Sequence, residues 1–104
     1  MKIAEMVKRG AKLLDDRRPN WWKMIEPKRL NMLSCTDCIL GQVYEGEGLD
    51  VPWGRGYKAG KQELGIEAAH KYGFSDDEAR WTTLRRAWLT LIRSRYTAAA
   101  KRMK

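Results

Sequence analysis

The last quarter of the chain constrains the fold most, because its apolar residues recur at helical spacing from residue 81 to residue 99. One stripe of a helical wheel holds Trp81, Leu84, Trp88, Leu91, Ile92 and Ala99, with Leu89 and Tyr96 on its flank. Before the stripe, Ser75 and Glu78 have the spacing of a capping box, in which two side chains satisfy the first free N–H groups of a helix. The pattern predicts a long amphipathic helix that starts at Ser75.

Two further segments also show helical patterns. The first begins close to the N-terminus and ends near Asp16, with one face formed by Ile3, Met6, Val7, Gly10, Leu13 and Leu14. In the second, Ser34 and Asp37 resemble another capping box and predict a helix over residues 35–44. After a predicted loop over residues 49–57, residues 61–72 have helical character weakened by Gly65, and Gly73 suits a C-cap.

These elements predict an all-α fold with four or five helices and a long basic amphipathic C-terminal helix. The 104 residues fit one small domain covering residues 1–104, of which residues 100–104 are expected to form a disordered tail. The stripe of the C-terminal helix should pack against the helices predicted over residues 3–14 and 35–44. No stretch has the roughly 20 apolar residues of a membrane span, so we expect no membrane partner and a cytoplasmic location.

The net charge of +8 is unevenly distributed along the chain. Eight of the 21 basic residues lie beyond residue 78, where there is no acidic residue, and the other 13 balance all 13 acidic residues. The helical wheel places cations and hydroxyls opposite the apolar stripe: Thr83, Arg86, Thr90, Arg93, Ser94, Thr97, Lys101 and Lys104. Cations and hydroxyls are the usual contacts to phosphates. The candidate nucleic-acid-binding residues are therefore Arg86, Thr90, Arg93, Thr97 and Lys101.

The cysteine pair allows three interpretations. Cys35 and Cys38 lie three residues apart at a predicted helix start, where the helix dipole lowers a thiol pKa and favours metal binding or redox chemistry. Structural zinc needs four ligands, and only His70 offers a further nitrogen, so the metal alternative is Cys35, Cys38 and His70. A disulfide or redox pair is the second alternative. We expect reduced, largely buried and metal-free thiols and no cofactor.

Two other features are compared with known catalytic or phosphate-binding patterns, and neither matches such a pattern fully. Residues 54–61 are glycine-rich, but Arg55 and Gln62 occupy positions where a phosphate-binding loop needs Gly and Ser or Thr, so we interpret this segment as a flexible loop. His70 is the only histidine, and no nucleophile can be placed beside it from the sequence. We therefore expect that the protein is not an enzyme.

Several short blocks carry a resemblance to a known family. They are Leu13-Leu14-Asp15, Pro19-x-Trp21, the run from Ser34-Cys35-Thr36-Asp37-Cys38 through Ile39-Leu40-Gly41-Gln42-Val43-Tyr44, Leu64-Gly65, Tyr72-Gly73-Phe74 and Trp81-x-x-Leu84-x-x-Ala87-Trp88. In these blocks the chain resembles the small hypothetical proteins of actinobacteriophages, especially mycobacteriophages. The resemblance implies a phage source and a location in the cytoplasm of the infected bacterial host, and it transfers no catalytic or binding residue.

Together these observations predict a non-enzymatic phage accessory protein that acts by binding. Its partner is expected to be nucleic acid, DNA or RNA, contacted through the C-terminal basic face, or a host protein. Two alternatives remain open at this point: a small structural or assembly protein of the phage, and a metal or redox factor that uses the cysteine pair.

Overall fold

A computed structural model of the protein describes residues 2–34, 36–45, 55–76 and 78–102. These ranges contain four α-helices: α1 (Ile3–Arg17), α2 (Ile39–Val43), α3 (Arg55–Leu64) and α4 (Trp81–Arg102). Short 3₁₀ turns occupy Trp21–Met24 and Ala69–Tyr72. These ranges contain no strand. The predicted all-α class, the number of helices and the long C-terminal helix are confirmed.

The helix α1 buries most of the face that its sequence predicts, although Leu13 is only half-buried and Ala11 is buried in addition. Its buried residues recur every three or four positions: Ile3, Met6, Val7, Gly10, Ala11 and Leu14. Gly10 lets this face approach the rest of the core closely, since a Cβ there would lie 3.0 Å from the Trp88 ring and would overlap the Tyr72 carbonyl oxygen. A side chain at Gly10 would therefore push α1 away from α4 and from the second 3₁₀ turn.

Trp88 of α4 lies at the centre of the core and is fully buried. Trp21 meets its ring edge-on with centroids 5.6 Å apart, and Phe74 stacks on it at the same distance. Its indole N–H donates to the Gly73 carbonyl oxygen at 2.6 Å, so the polar atom of this side chain is satisfied. One residue thus joins α1, both 3₁₀ turns and the long helix.

The glycine-rich segment is a helix, which corrects the prediction of a flexible loop. From Arg55 to Leu64 it forms α3, although residues 46–54, and with them most of the predicted loop over 49–57, lie outside the described residues. Gly56 packs against the backbone of Gly41, and a Cβ at Gly60 would lie 2.7 Å from the Tyr44 ring. Glycine at this i, i+4 spacing lets α3 approach α2 closely, which outweighs its low helix propensity.

The helix α2 is shorter than the predicted span over residues 35–44. Ser34 accepts the backbone N–H of Asp37 at 3.1 Å, as its capping pattern predicts, but the chain makes a turn there, and α2 begins at Ile39. Cys38 is the N-cap, and its Sγ accepts the N–H of Gly41 at 3.3 Å. Since all five residues of α2 are buried, tertiary packing determines where this helix lies.

The start of α4 is also corrected, because the helix begins at Trp81 and the Ser75–Glu78 capping box does not form it. Asp76 has the capping role: it accepts the backbone N–H of Glu78 at 3.2 Å and that of Arg80 at 2.7 Å. Ala79 has a positive φ of 56°, a conformation that cannot continue a right-handed helix. The carboxylate and this backbone conformation together delay the helix by about one and a half turns.

The packing of α4 agrees with one of its two predicted partners. Its stripe buries Leu84, Trp88 and Ile92 and packs on α1, whereas α2 has α3 and the Trp21–Met24 turn as its main neighbours. The helix continues through residues 100–102, so the first part of the predicted disordered tail is its last turn. At 22 residues and about 1.5 Å per residue, α4 is about 33 Å long. It extends along a molecule that measures 44 Å in its longest dimension.

Candidate nucleic-acid interface

The five residues predicted to bind nucleic acid all lie on one exposed face of α4. Arg86, Thr90, Arg93, Thr97 and Lys101 are each exposed, and so are Thr83 and Ser94 beside them. Since α4 is continuous here, the face extends about 22 Å along the helix axis from Arg86 to Lys101. We call the set Arg86, Thr90, Arg93, Thr97 and Lys101 the outer face.

The cations of the outer face have no acidic partner. Within the described residues, no carboxylate lies within ion-pairing distance of Arg86, Arg93 or Lys101. Exposed cations keep their positive potential when no carboxylate neutralises it, and that potential attracts polyanions. The outer face can therefore bind phosphates without first breaking an ion pair.

The other arginines of α4 bind the protein itself. Arg95 makes a two-pronged ion pair with Asp15 of α1 at 2.7 and 2.8 Å. This contact lowers the pKa of Asp15, with partial burial acting against it and the Trp21 indole N–H adding to it. Arg85 donates to the carbonyl oxygens of Leu30 and Pro27 at 2.8 and 3.1 Å.

Arg80, just before α4, is bound to acidic residues at the start of the helix. Its guanidinium contacts both carboxylate oxygens of Asp76, at 2.9 and 3.1 Å, and pairs with Glu78 at 2.7 Å. The hydrogen bond from Arg80 is the main reason that the pKa of Asp76 lies below its usual value, and burial of the carboxylate opposes it. Three of the cations beyond residue 78 therefore stabilise the fold and are not available to a ligand.

The hydroxyls of the outer face are less available than the helical wheel implies. Thr97 donates its hydroxyl proton to the Arg93 carbonyl oxygen at 3.1 Å, and Ser94 donates to the carbonyl of Leu91. A hydroxyl in this back-bonded state has no proton left for a phosphate oxygen. The guanidinium and ammonium groups consequently supply the main phosphate-binding capacity of the face.

A groove between α1 and α4 borders the outer face and adds a residue that the sequence did not identify. It has a volume of about 480 Å³ and is lined by Ala4, Val7, Lys8, Thr83, Arg86, Ala87, Thr90, Leu91 and Ser94. Its floor is apolar, and Lys8 and Arg86 supply its only charges. Lys8 of α1 thus extends the cationic surface beyond α4. Its position next to Arg86 depends on how α1 packs against α4, two segments that are far apart in the sequence.

The alternative metal site lies partly outside the described residues. Cys38 is buried, with 2% of its surface exposed, as predicted for the thiols, while Cys35 lies outside the described ranges. His70 is in the Ala69–Tyr72 turn and is half-buried. The part of the chain that the structure describes brings no three potential metal ligands together.

Comparison with known proteins adds no family to these observations. No protein-family model, no curated protein and no solved structure matches the chain. Among the described helices, none is long and apolar enough to cross a membrane.

Proposed function

We propose that this protein is a non-enzymatic binding protein that contacts nucleic acid through the outer face of α4. The observation that carries the proposal is the outward placement of Arg86, Arg93 and Lys101 with no acidic partner among the described residues. The resemblance to small actinobacteriophage proteins extends the proposal to a phage accessory protein in the cytoplasm of the infected host.

Binding of this kind is driven by the phosphate backbone. Each cation that neutralises a phosphate releases a condensed counterion, so the affinity falls with salt at a slope of about 0.9 per contact for duplex DNA. With three cations on the outer face and Lys8 at its border, we expect about three or four phosphate contacts and little sequence preference.

A salt titration tests the proposal. Labelled duplex DNA, single-stranded DNA and RNA are titrated with the wild-type protein and with Arg86→Ala/Arg93→Ala at low and physiological salt. The double variant should bind all three more weakly and should reduce the salt slope by about two units, one for each phosphate that the variant no longer neutralises.

The matched control is Lys28→Ala/Lys71→Ala, which removes two equally exposed charges outside α4. It should leave the salt slope within about half a unit of the wild type, because these lysines lie outside the proposed interface. An effect of net charge alone would instead appear in both double variants. An equal loss in the two double variants would contradict a defined interface. So would wild-type binding weaker than about 100 μM, the weak end of non-specific binding.

A host protein is the second candidate partner, favoured by the groove between α1 and α4. An apolar floor with cations at its rim suits a partner segment that is apolar on one side and acidic on the other. Leu91→Glu would place a negative charge in this groove and should abolish capture of such a partner from nuclease-treated host extract. Capture that survives this substitution would exclude the groove as the binding site.

A further inference from the structure

Tyr96 is an aromatic residue of α4 that is neither buried in the core nor part of the outer face. It is 47% exposed, whereas every other aromatic residue within the described ranges is buried or half-buried. The sequence placed Tyr96 on the flank of the apolar stripe, where packing would have covered it. An exposed aromatic ring beside a cationic surface is typical of proteins that stack bases.

The position of Tyr96 on α4 connects it to the outer face. It follows Arg93 by three residues, which places the two side chains about 60° apart around the helix and one turn apart along it. Arg93 belongs to the outer face and has no acidic partner in the described part of the chain. The ring of Tyr96 therefore borders the same surface that we propose for phosphate contact.

The protein holds the Tyr96 ring in place without covering it. Trp22, from the first 3₁₀ turn, meets the ring at 83° with the centroids 4.8 Å apart, and Trp22 itself is only 8% exposed. A ring that is already ordered loses little conformational entropy when a ligand binds to it. Almost half of its surface remains open to a ligand.

A second cation contacts this aromatic pair through Trp22. The Lys23 ammonium is 5.3 Å from the centroid of the Trp22 ring, and Lys23 is exposed. Each member of the aromatic pair therefore has a cation near it: Arg93 lies three residues before Tyr96 on α4, and Lys23 contacts Trp22. In a single strand, each base likewise has phosphates on both sides of it along the backbone.

We propose that Tyr96 stacks on an unpaired base and makes single-stranded nucleic acid the preferred ligand of the outer face. The inference rests on the proposed function, since Arg93 supplies the adjacent phosphate contact. A duplex cannot use the ring in this way, because its bases are already stacked on one another inside the helix. Single-stranded DNA and RNA both present free base faces, and the titration compares them.

Fluorescence anisotropy with a labelled strand of about 20 nucleotides, alone and annealed to its complement, tests the proposal. Tyr96→Ala should bind the single strand about tenfold more weakly, the effect of removing one base–aromatic stack. It should leave the duplex affinity and both salt slopes unchanged, because no cation is removed. Tyr96→Phe keeps the ring and should bind like the wild type.

Two controls separate stacking from damage to the fold. Tyr96→Leu keeps an apolar side chain against Trp22 but has no ring to stack, so it should be as folded as the wild type and as weak on the single strand as Tyr96→Ala. Leu33→Ala shortens an apolar side chain that is 66% exposed elsewhere and should change nothing. Circular dichroism and thermal unfolding of each variant verify the fold.

The outcomes distinguish this inference from the proposed function. If Tyr96→Ala binds the single strand as the wild type does, or loses the same factor on both ligands, the stacking inference is overturned and the outer face stands. A wild-type preference for the duplex also overturns it. If the wild type binds neither ligand, both proposals fail.

Discussion

The two faces of α4 use the same residue type for opposite purposes. Arg85 and Arg86 are neighbours in the sequence, but the helix points them about 100° apart. Arg85 donates to two carbonyl oxygens of the segment after α1, whereas Arg86 is exposed and has no acidic partner within the described residues. Further along α4, Arg95 and Arg93 show the same contrast: Arg95 pairs with Asp15, and Arg93 lies on the outer face.

This contrast shows why the total charge of the chain is a poor guide to its binding surface. Eight basic residues follow residue 78, but Arg85 and Arg95 hold α4 against other segments of the fold, and Arg80 binds Asp76 and Glu78 just before the helix. Among the described residues, Arg86, Arg93 and Lys101 remain on the outer face, and the exposed Arg102 lies on another side of α4. We call the side of α4 that holds Leu84, Trp88 and Ile92, with Arg85 and Arg95 at its edges, the inner face. We therefore expect the inner face to contribute stability and the outer face to contribute affinity.

The largest effect should come from the inner face at Trp88. Trp88→Ala removes a fully buried ring that contacts Trp21 and Phe74, and it leaves the Gly73 carbonyl without its donor. We expect the free energy of unfolding to fall by about 3–5 kcal/mol. Urea denaturation followed by circular dichroism measures it. Trp81→Ala is the matched control, since Trp81 is only half-buried and should cost less; equal losses would show that Trp88 is not the centre of the core.

The ion pair between Asp15 and Arg95 should have a smaller effect. Both side chains retain about a third of their exposure, at 37% and 31%, so solvent screening weakens their attraction. A double-mutant cycle with Asp15→Asn and Arg95→Gln should give a coupling energy of about 1 kcal/mol, which is high for a partly exposed pair because the contact is bidentate. Additive losses in the cycle would mean that α1 and α4 are not joined by this pair.

Acid should weaken the start of α4 through Asp76. Its pKa lies below the usual 3.8, mainly because of the Arg80 guanidinium, so the folded protein binds the proton less readily than the unfolded chain does. The resulting stability is fully present above about pH 4 and is lost as the pH falls through the lower, folded-state pKa. Asp76→Asn should be less stable than the wild type at pH 7, and the difference should shrink at about pH 2–3.

Unfolding midpoints measured between about pH 2 and pH 7 provide this comparison. Glu78→Gln is the control, since Glu78 is exposed and pairs with the same arginine. It should change the pH dependence much less. A wild-type curve that runs parallel to that of Asp76→Asn would show that the carboxylate does not hold the start of the helix.

The fold was predictable where a local pattern and tertiary packing agree. The stripes of α1 and α4 repeat over many residues, so they identified both helices and the face that each one buries. The start of α4 was not predictable, because Asp76 accepts the Glu78 N–H that the capping pattern assigns to Ser75. The start of α2 depends on tertiary packing, since all its residues are buried. The glycines of α3 indicated a loop because the surface they pack against, Gly41 and Tyr44, is distant in sequence.

The same limit applies to the candidate site. The direction of Arg86 and Arg93 followed from the helical period alone, and the structure places both where the sequence predicted. Lys8 and the contact between Trp22 and Tyr96 were missed, because each depends on how α4 aligns with another segment. Local periodicity specifies which residues share a face, while tertiary alignment specifies what lies next to that face.

The smallest effect on stability should come from the outer face, and it provides the strictest test of the contrast between the two faces. Arg86→Ala/Arg93→Ala removes two exposed side chains with no ion pair in the described residues, so the free energy of unfolding should change by less than about 0.5 kcal/mol. Arg85→Ala should cost about 1 kcal/mol by itself, since it leaves two carbonyl oxygens without their charged donor. Urea denaturation of the three proteins at equal salt measures both values. If Arg86→Ala/Arg93→Ala lowers the free energy of unfolding as much as Arg85→Ala does, the two outer arginines contribute to the fold. Weaker binding by this double variant would then be explained by damage to α4 rather than by the absence of two phosphate-binding cations.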